Sequence, residues 1–314
     1  MKDYLTGTQE EKLEFIPRFY ECRKSTIPFG KPDGRLDKPF WQQAEFSEPF
    51  EDIRWNRNAP YPPYHETRMK MLWDDEALYI GAYLCEDKIW GTLTERDCVI
   101  FYDNDFEVFI DPDGDTHNYY EFEMNCLNTV WDLLLTKPYR DRGMKVLSGW
   151  DIAGLETAVH IDGQVGDPAA ANKGWSIEIR MPWKALGECA PEVRGPKEDE
   201  FWRIDFSRVE WRTEVRDGRY AKVLNPETNK PYPEDNWIWS PTGRIDMHMP
   251  ELWGFLHFQN ADGSLAPFAL TEREKLKWLL HRRLRIPLRR KSGNRRENLH
   301  HADLLRSDCL YLRR

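Results

Sequence analysis

Residues 105–125 read DFEVFIDPDGDTHNYYEFEMN, and this stretch decides the fold. On both sides of the central DPDGD, apolar and polar residues alternate, which is the period of a half-buried β-strand. The centre combines Asp, Pro and Gly, the residues that hairpin turns favour. The stretch therefore predicts a β-hairpin with strands at residues 105–110 and 119–125.

The same alternation recurs on both sides of this hairpin, and no long helical period precedes residue 270. Thr67–Trp73 and residues 77–84 flank the polar segment DDE and predict a second hairpin. Further candidate strands lie at residues 155–161, 175–181, 202–209 and 253–258. Many short strands with turn signals between them indicate an all-β sandwich or barrel. We expect one domain over residues 30–260, preceded by an N-terminal extension at 1–29.

The chain changes character after residue 260. Thr271 and Glu274 form a capping box, and the leucines that follow lie at helical spacing, which predicts a short helix ending near Pro287. Residues 271–314 contain fourteen Lys or Arg against five Asp or Glu, so this tail carries +9 and the rest −18 of the net charge of −9. We expect residues 261–314 to form a short helix and a basic tail with little order.

The composition limits which binding partners and which cellular compartment we expect for the protein. A net charge of −9 argues against nucleic acid as a partner. The six cysteines show no CxxC pair, which argues against a zinc site. The sequence has no apolar stretch of about eighteen residues that would span a membrane, and residues 1–30 lack a secretory signal pattern. We expect a cytoplasmic protein as the sequence stands, or a secreted or periplasmic one if the sequence has been trimmed.

Five phrases of the sequence, taken in order, resemble the family 9 carbohydrate-binding modules. The phrases are GRLDKPFWQQA at residues 34–44, LWDDEALYI at 72–80, DFEVFID at 105–111, GWSIEIRMPW at 174–183, and WS at 239–240 followed by WG at 253–254. The resemblance covers residues 30–260 and implies an antiparallel two-sheet β-sandwich of the dopamine-monooxygenase-related (DOMON-like) type. It also implies non-catalytic carbohydrate binding in glycan utilisation (polysaccharide catabolism), with structural calcium.

The resemblance also implies a sugar-binding site, which differs from the family pattern at several positions. Relatives clamp a reducing-end sugar between two Trp side chains, where this chain has Phe101 and Met247. Glu107 and Asn125 match polar positions of the family, whereas Glu123 replaces an Arg. A sugar needs an apolar wall beside hydrogen-bonding groups, so we add two aromatic neighbours of these positions. The predicted ligand-binding residues are Phe101, Tyr102, Glu107, Glu123, Asn125, Trp239 and Met247.

Alternation gives an independent argument for the same polar patch. If Phe106 faces the core, Glu107 faces outward, and Glu123 does the same on the next strand. Carboxylates there can hold vicinal sugar hydroxyls, although they also suit a solvated sheet face. A glycan-processing enzyme is the alternative, since hydrolysis uses two carboxyl groups about 5–9.5 Å apart. Exposed carboxyls lack the apolar pocket that raises one pKa, and the chain has no GxSxG, HExxH or P-loop, so we expect no catalysis.

One turn and one later loop raise the question of cofactors. Asp111, Asp113 and Asp115 offer three carboxylates at i, i+2 and i+4, which suits structural calcium, although an Asp-Gly turn needs no metal. The segment MHM at residues 247–249 contains the side chains that hold haem in some DOMON-like domains, but the sequence designates no second ligand. We expect no organic cofactor. A protein-interaction sandwich without a small ligand is the remaining alternative.

Overall fold

The computed structural model describes residues 17–54, 62–190, 193–198 and 200–262. The strands of this part of the chain are β1 (Phe19–Lys24), β2 (Glu51–Asp52), β3 (Thr67–Trp73), β4 (Ala77–Cys85), β5 (Asp105–Asp111), β6 (Tyr119–Asn125), β7 (Val130–Leu135), β8 (Val146–Leu147), β9 (Glu156–Asp162), β10 (Gly174–Pro182), β11 (Phe201–Glu210), β12 (Thr213–Arg216), β13 (Arg219–Lys222), β14 (Asp235–Ile238) and β15 (Gly254–Gln259). The helical pieces are α1 (Trp183–Leu186) and 3-10 turns at Pro39–Gln43, Ile100–Tyr102 and Pro250–Leu252. The predicted C-terminal helix and basic tail lie outside the described residues.

Most strands join one hydrogen-bonded path in the order β8-β7-β6-β5-β11-β15-β1-β3-β4-β10-β9, with β14 beside β11 and β2 beside β14. The two ends of this path pack on each other in a sandwich. Phe106 and Phe122 from one end share a single hydrophobic core with Ile80 and Ile177 from the other. The all-β sandwich predicted from the alternation is therefore confirmed.

Strand β1 departs from the antiparallel pattern because it runs parallel to both of its neighbours, β15 and β3. It lies within the segment that the sequence assigned to an N-terminal extension, so the sandwich begins before residue 30. Within the described residues, no helix has the length and apolar character needed to cross a membrane.

The β5–β6 hairpin has the predicted bounds to within one residue. Its register pairs Glu107 with Glu123 and Asp105 with Asn125. The Asp111 carboxylate closes the turn by accepting hydrogen bonds from the backbone N–H groups of Gly114 (3.0 Å) and Thr116 (2.9 Å). The predicted turn chemistry is thus what brings the two acidic strands side by side.

Two of the family-like phrases meet in one buried network on the outside of β4 and β10. The Glu178 carboxylate, fully buried, accepts hydrogen bonds from Trp41 Nε1 (2.7 Å) and from the backbone N–H of Gly34 (2.8 Å). It also accepts bonds from the backbone N–H of Asp33 and from Lys38 Nζ, both at 2.7 Å. Gly34 has φ +82°, and a Cβ there would lie 2.2 Å from the backbone nitrogen of His160. These residues therefore fasten the 33–41 segment onto the sheet.

Candidate functional site

The outer face of β5 and β6 carries four carboxyl groups, which we call the acidic cluster: Asp105, Glu107, Glu121 and Glu123. On the neighbouring strands, Ser207 stands opposite Glu107 and Trp131 opposite Glu123. The alternation argument is right that these side chains point away from the core. It is wrong about solvent, because all four are 0–5% exposed.

A second layer covers the acidic cluster. On one side, the 3-10 turn at Ile100–Tyr102 lies over it, and the backbone N–H of Phe101 donates a 3.1 Å hydrogen bond to Glu123 Oε2. On the other side, His248 Nε2 lies 3.9 Å from Glu121 Oε1, and the Tyr139 ring packs on the imidazole at 4.1 Å between centroids. A turn and two loops thus close a face that the strand pattern alone leaves open.

Burial changes the acid strength of the cluster. Desolvation raises the pKa of Glu107 to about 7, and the nearby Ser207 hydroxyl acts in the opposite direction. The pKa values of Asp105, Glu121 and Glu123 are also raised well above their ordinary values, by desolvation first and then by the charge of Glu107. The expectation that these carboxyls lack a low-dielectric environment is therefore wrong.

Three oxygen atoms of the cluster lack hydrogen-bonding partners. Asp105 Oδ2, Glu121 Oε2 and Glu123 Oε1 are buried and have no hydrogen-bond partner in the described part of the chain. The Arg208 guanidinium on β11 is engaged elsewhere, with Glu86 at 2.6 Å and Glu210 at 2.7 Å. A buried polar atom without a partner costs about 1–3 kcal/mol, more when it is charged. The cluster therefore requires protons, water or a cation to be stable.

The predicted ligand-binding residues do not all reach one pocket. Phe101 is 4% exposed and Tyr102 is half-buried beside it, with their ring centroids 5.0 Å apart. The Asn125 amide is saturated: its Nδ2 donates to the Leu93 carbonyl and to Asp103 Oδ2, and its Oδ1 accepts two backbone N–H groups. Asn125 therefore holds a turn, and no polar atom of its side chain is left for a sugar.

Trp239 lies apart from the other predicted residues. It is fully buried in the hydrophobic core against Phe206, on the opposite side of β11 from Ser207 and the acidic cluster. Met247 is 8% exposed, and its carbonyl accepts a 2.7 Å hydrogen bond from Trp253 Nε1. The structure thus brings Phe101, in the covering layer, next to Glu123 and Glu107 beneath it, but leaves Trp239 in the core.

The predicted calcium loop has spacing that fits a metal ion. Single carboxylate oxygens of Asp111, Asp113 and Asp115 lie within 4.8 Å of one another. Each carboxylate also accepts backbone N–H bonds inside the loop, for example Asp115 Oδ1 from His117 at 2.7 Å. Hard oxygen donors of this kind suit Ca²⁺, and the same bonds also close a turn without metal. Calcium here stays a prediction.

The haem alternative also stays untested. In the 247–249 segment, His248 Nδ1 is 2.9 Å from the Tyr119 hydroxyl, and its ring lies against Phe109 and Tyr139. Met249 is buried next to it. The imidazole is thus held within an aromatic cage.

An open cleft that sequence reasoning missed lies on the outer face of β3, β4 and β10. It has a volume of about 510 Å³ and is lined by Phe46, Tyr83, Arg68, His160 and the 35–37 segment, among others. The Phe46 ring is 41% exposed, and Lys70 Nζ lies 4.5 Å from its centroid. The alternation in β3 and β4 places Arg68 and Tyr83 outward, but no pattern in the sequence indicates that Phe46 joins them.

Comparison with known proteins identifies related chains. Residues 33–195, just over half of the chain, match the family described as "Carbohydrate family 9 binding domain-like". No curated protein matches the chain. Among solved structures, the chain is similar to a candidate carbohydrate-binding protein from Bacteroides uniformis ATCC 8492, with a TM-score of 0.55 and 18% identity over 77% of this chain and 99% of that one. This likeness supports the sandwich fold.

Two further similar structures are of a carbohydrate binding module family 9 from Caldicellulosiruptor kristjanssonii. The complex with cellotriose has a TM-score of 0.46 and 14% identity over 81% of this chain and 100% of that one. The complex with glucose has a TM-score of 0.45 and 14% identity over 80% and 100%.

Proposed function

The chain belongs to the carbohydrate family 9 binding domain-like family, and we propose that it binds a saccharide without cleaving it, in glycan utilisation. The observation that carries this proposal is the family match over residues 33–195. The matched span includes β3, β4 and β10, which form the floor of the open cleft, and the loop that carries Phe46.

We propose the open cleft as the saccharide site. Each sugar hydroxyl exchanges water for protein at a net gain of only about 0.5–1.5 kcal/mol, so an apolar face is needed beside the polar groups. The exposed Phe46 ring and the half-buried Tyr83 ring supply such faces. Arg68 and His160 supply hydrogen-bonding groups at the same cleft. A volume of about 510 Å³ lies within the range of small-ligand sites.

The predicted set at the acidic cluster is the competing location. It combines Phe101 and Met247, at the two clamp positions, with the carboxylates of Glu107 and Glu123. All four side chains are at most 8% exposed, so a sugar would reach them only after the loops that carry Tyr139 and Met247 move apart. The cleft requires no such rearrangement, which is why we favour it.

The same burial argues against glycoside hydrolysis. Glu107 has the raised pKa that a catalytic acid needs, because burial desolvates it. A glycosidic bond must nevertheless lie between the two carboxyl groups, and Glu107 and Glu123 are 5% and 0% exposed. Their chemistry is therefore out of a polysaccharide's reach.

A glycan array followed by isothermal titration of the best hit tests the proposal. Loss of one aromatic face costs about 0.5–1.5 kcal/mol, so Phe46→Ala should weaken binding about twofold to tenfold. Phe101→Ala and Val215→Ala, a truncation of a 56% exposed residue on β12, should bind like the wild type. Loss of affinity in Phe101→Ala alone would move the site to the acidic cluster. No binding to any glycan on the array would favour a protein-interaction sandwich. Release of shorter saccharides from a bound glycan would favour an enzyme.

We also propose that Asp111, Asp113 and Asp115 bind a structural calcium ion. Two features support this proposal: the ligand atoms are all carboxylate oxygens, and one oxygen of each residue lies within 4.8 Å of the others. The ion would offset the repulsion that, after desolvation, raises the pKa values of Asp111 and Asp113. Calorimetric titration of Asp113→Asn with Ca²⁺ tests this site, since loss of one oxygen ligand should weaken the binding.

A further inference from the structure

The acidic cluster contains three carboxylates with the geometry of a second cation site. Asp105, Glu107 and Glu123 each offer one oxygen, and these oxygens lie within 4.8 Å of one another. Ligands of one Ca²⁺ ion, with bonds of about 2.3–2.6 Å, can be at most about 4.6–5.2 Å apart. Mg²⁺ dehydrates reluctantly and usually keeps several waters, whereas Ca²⁺ is readily bound by a set of protein oxygens. A buried set of carboxylates therefore suits Ca²⁺ better than Mg²⁺.

Two of these carboxylates are oriented by the backbone and still have an oxygen to offer. Asp105 Oδ1 accepts the backbone N–H of Val209 at 3.2 Å, and Glu123 Oε2 accepts that of Phe101 at 3.1 Å. The second oxygen of each is buried and has no protein partner in the described part of the chain. A carboxylate held by one oxygen, with the other unpartnered, is prepared to bind a cation.

An independent observation comes from Glu121, which stands outside these three. Its side chain is 2% exposed and its Oε2 has no hydrogen-bond partner among the described residues. Glu121 lies two residues before Glu123 on the same face of β6 and is diagonal to Glu107 across the β5–β6 pair. A fourth buried carboxylate with an unpartnered oxygen thus lies beside the three.

Charge leads to the same conclusion. In the described part of the chain, no Lys or Arg forms an ion pair with any of the four carboxylates, and Arg208 is paired with Glu86 and Glu210. We propose that Asp105, Glu107 and Glu123 bind one divalent cation, Ca²⁺ in preference to Mg²⁺, beneath the covering layer. This inference does not rest on saccharide binding, since the cleft lies on other strands.

Thermal unfolding of the chelator-treated whole chain tests the proposal, with CaCl₂, MgCl₂ or NaCl added at equal ionic strength. At free Ca²⁺ about a hundredfold above Kd, the wild-type Tm should rise by about 5–10 °C. Glu123→Gln keeps the shape of the side chain but removes one charged ligand, so it should lose the part of this rise that comes from the acidic cluster and keep the part that comes from the Asp111–Asp115 turn. Its Tm without calcium should equal or exceed that of the wild type, because a buried charge has been removed.

Two controls separate the cluster from other acidic groups. Glu48→Gln removes an exposed carboxylate and should keep the full calcium response. A double variant of the turn, Asp113→Asn with Asp115→Asn, leaves the acidic cluster intact. Calcium should therefore still raise its Tm by the amount that is lost in Glu123→Gln. An unchanged response in Glu123→Gln, no response in the wild type, or a response to Mg²⁺ as large as that to Ca²⁺ would each overturn the proposal.

Discussion

Glu178→Gln tests most directly whether the buried network around Glu178 stabilises the fold. The Glu178 carboxylate accepts four donors: Trp41 Nε1, Lys38 Nζ and the backbone N–H groups of Asp33 and Gly34. A Gln at this position keeps one oxygen and turns an NH₂ group towards the remaining donors. With that oxygen in the place of Oε2, Trp41 Nε1 loses its acceptor at about 1–3 kcal/mol, and Lys38 loses its buried negative partner. The Lys38 side chain is 21% exposed and can regain water, which places the expected loss of unfolding free energy near 3 kcal/mol.

Urea denaturation at pH 7, followed by tryptophan fluorescence, measures this loss as a lower midpoint with an unchanged m-value. Glu156→Gln is the matched control: its carboxylate is 48% exposed and pairs with Arg180 at the surface, so the change should stay within about 0.5 kcal/mol. The substitution Trp41→Phe, alone and combined with Glu178→Gln, closes a double-mutant cycle and should show coupling. A Glu178→Gln protein within about 0.5 kcal/mol of the wild type would refute the reasoning.

The remaining predictions concern single sites. Gly254→Ala should destabilise the protein by about 1–3 kcal/mol in urea denaturation, because the new Cβ would lie 2.2 Å from the Trp239 ring. Asn125→Ala should cost about 2–4 kcal/mol in the same assay, since it leaves the backbone N–H groups of Leu127 and Thr129 and the carbonyl of Leu93 without their side-chain partner. Phe46→Ala should weaken saccharide binding in calorimetry and lower the unfolding free energy by no more than about 1–2 kcal/mol, because the residue is 41% exposed.

The strands could be predicted because the signals that define them are local. In the β5–β6 hairpin, Phe106 and Phe122 alternate with polar residues, and the Asp-Pro-Asp-Gly-Asp turn fixes the register without distant contacts. Strand β1 was missed because the alternation in FYECRK at residues 19–24 rests on only two buried residues, Tyr20 and Cys22, and because its two parallel partners come from distant parts of the chain. Parallel pairing of this kind leaves no turn signal in the sequence.

The site could be predicted only in part, for a related reason. Alternation states which side of a sheet a residue faces, but it does not state whether another layer covers that side. Glu107 and Glu123 point away from the core as expected, yet Phe101, Tyr139 and His248 come from three separate loops to cover them. Loop packing over a sheet is a tertiary property, so the pattern of the strands alone could not reveal it.

The resemblance to the family 9 modules predicts an Arg where this chain has Glu123, and this difference gives the covering layer a physical meaning. An arginine at that position could neutralise a neighbouring carboxylate and would have hydrogen-bond donors left for a ligand. Here Glu123 adds a negative charge beside Glu107, and an open acidic face would merely repel itself in water. Closing the face removes the solvent that screens this repulsion, so the closed state is favourable only if protons or a cation supply the missing positive charge. A face whose carboxylates bind protons or a cation has no free groups for a neutral sugar. This is the physical reason why we propose the saccharide site at Phe46 and Tyr83.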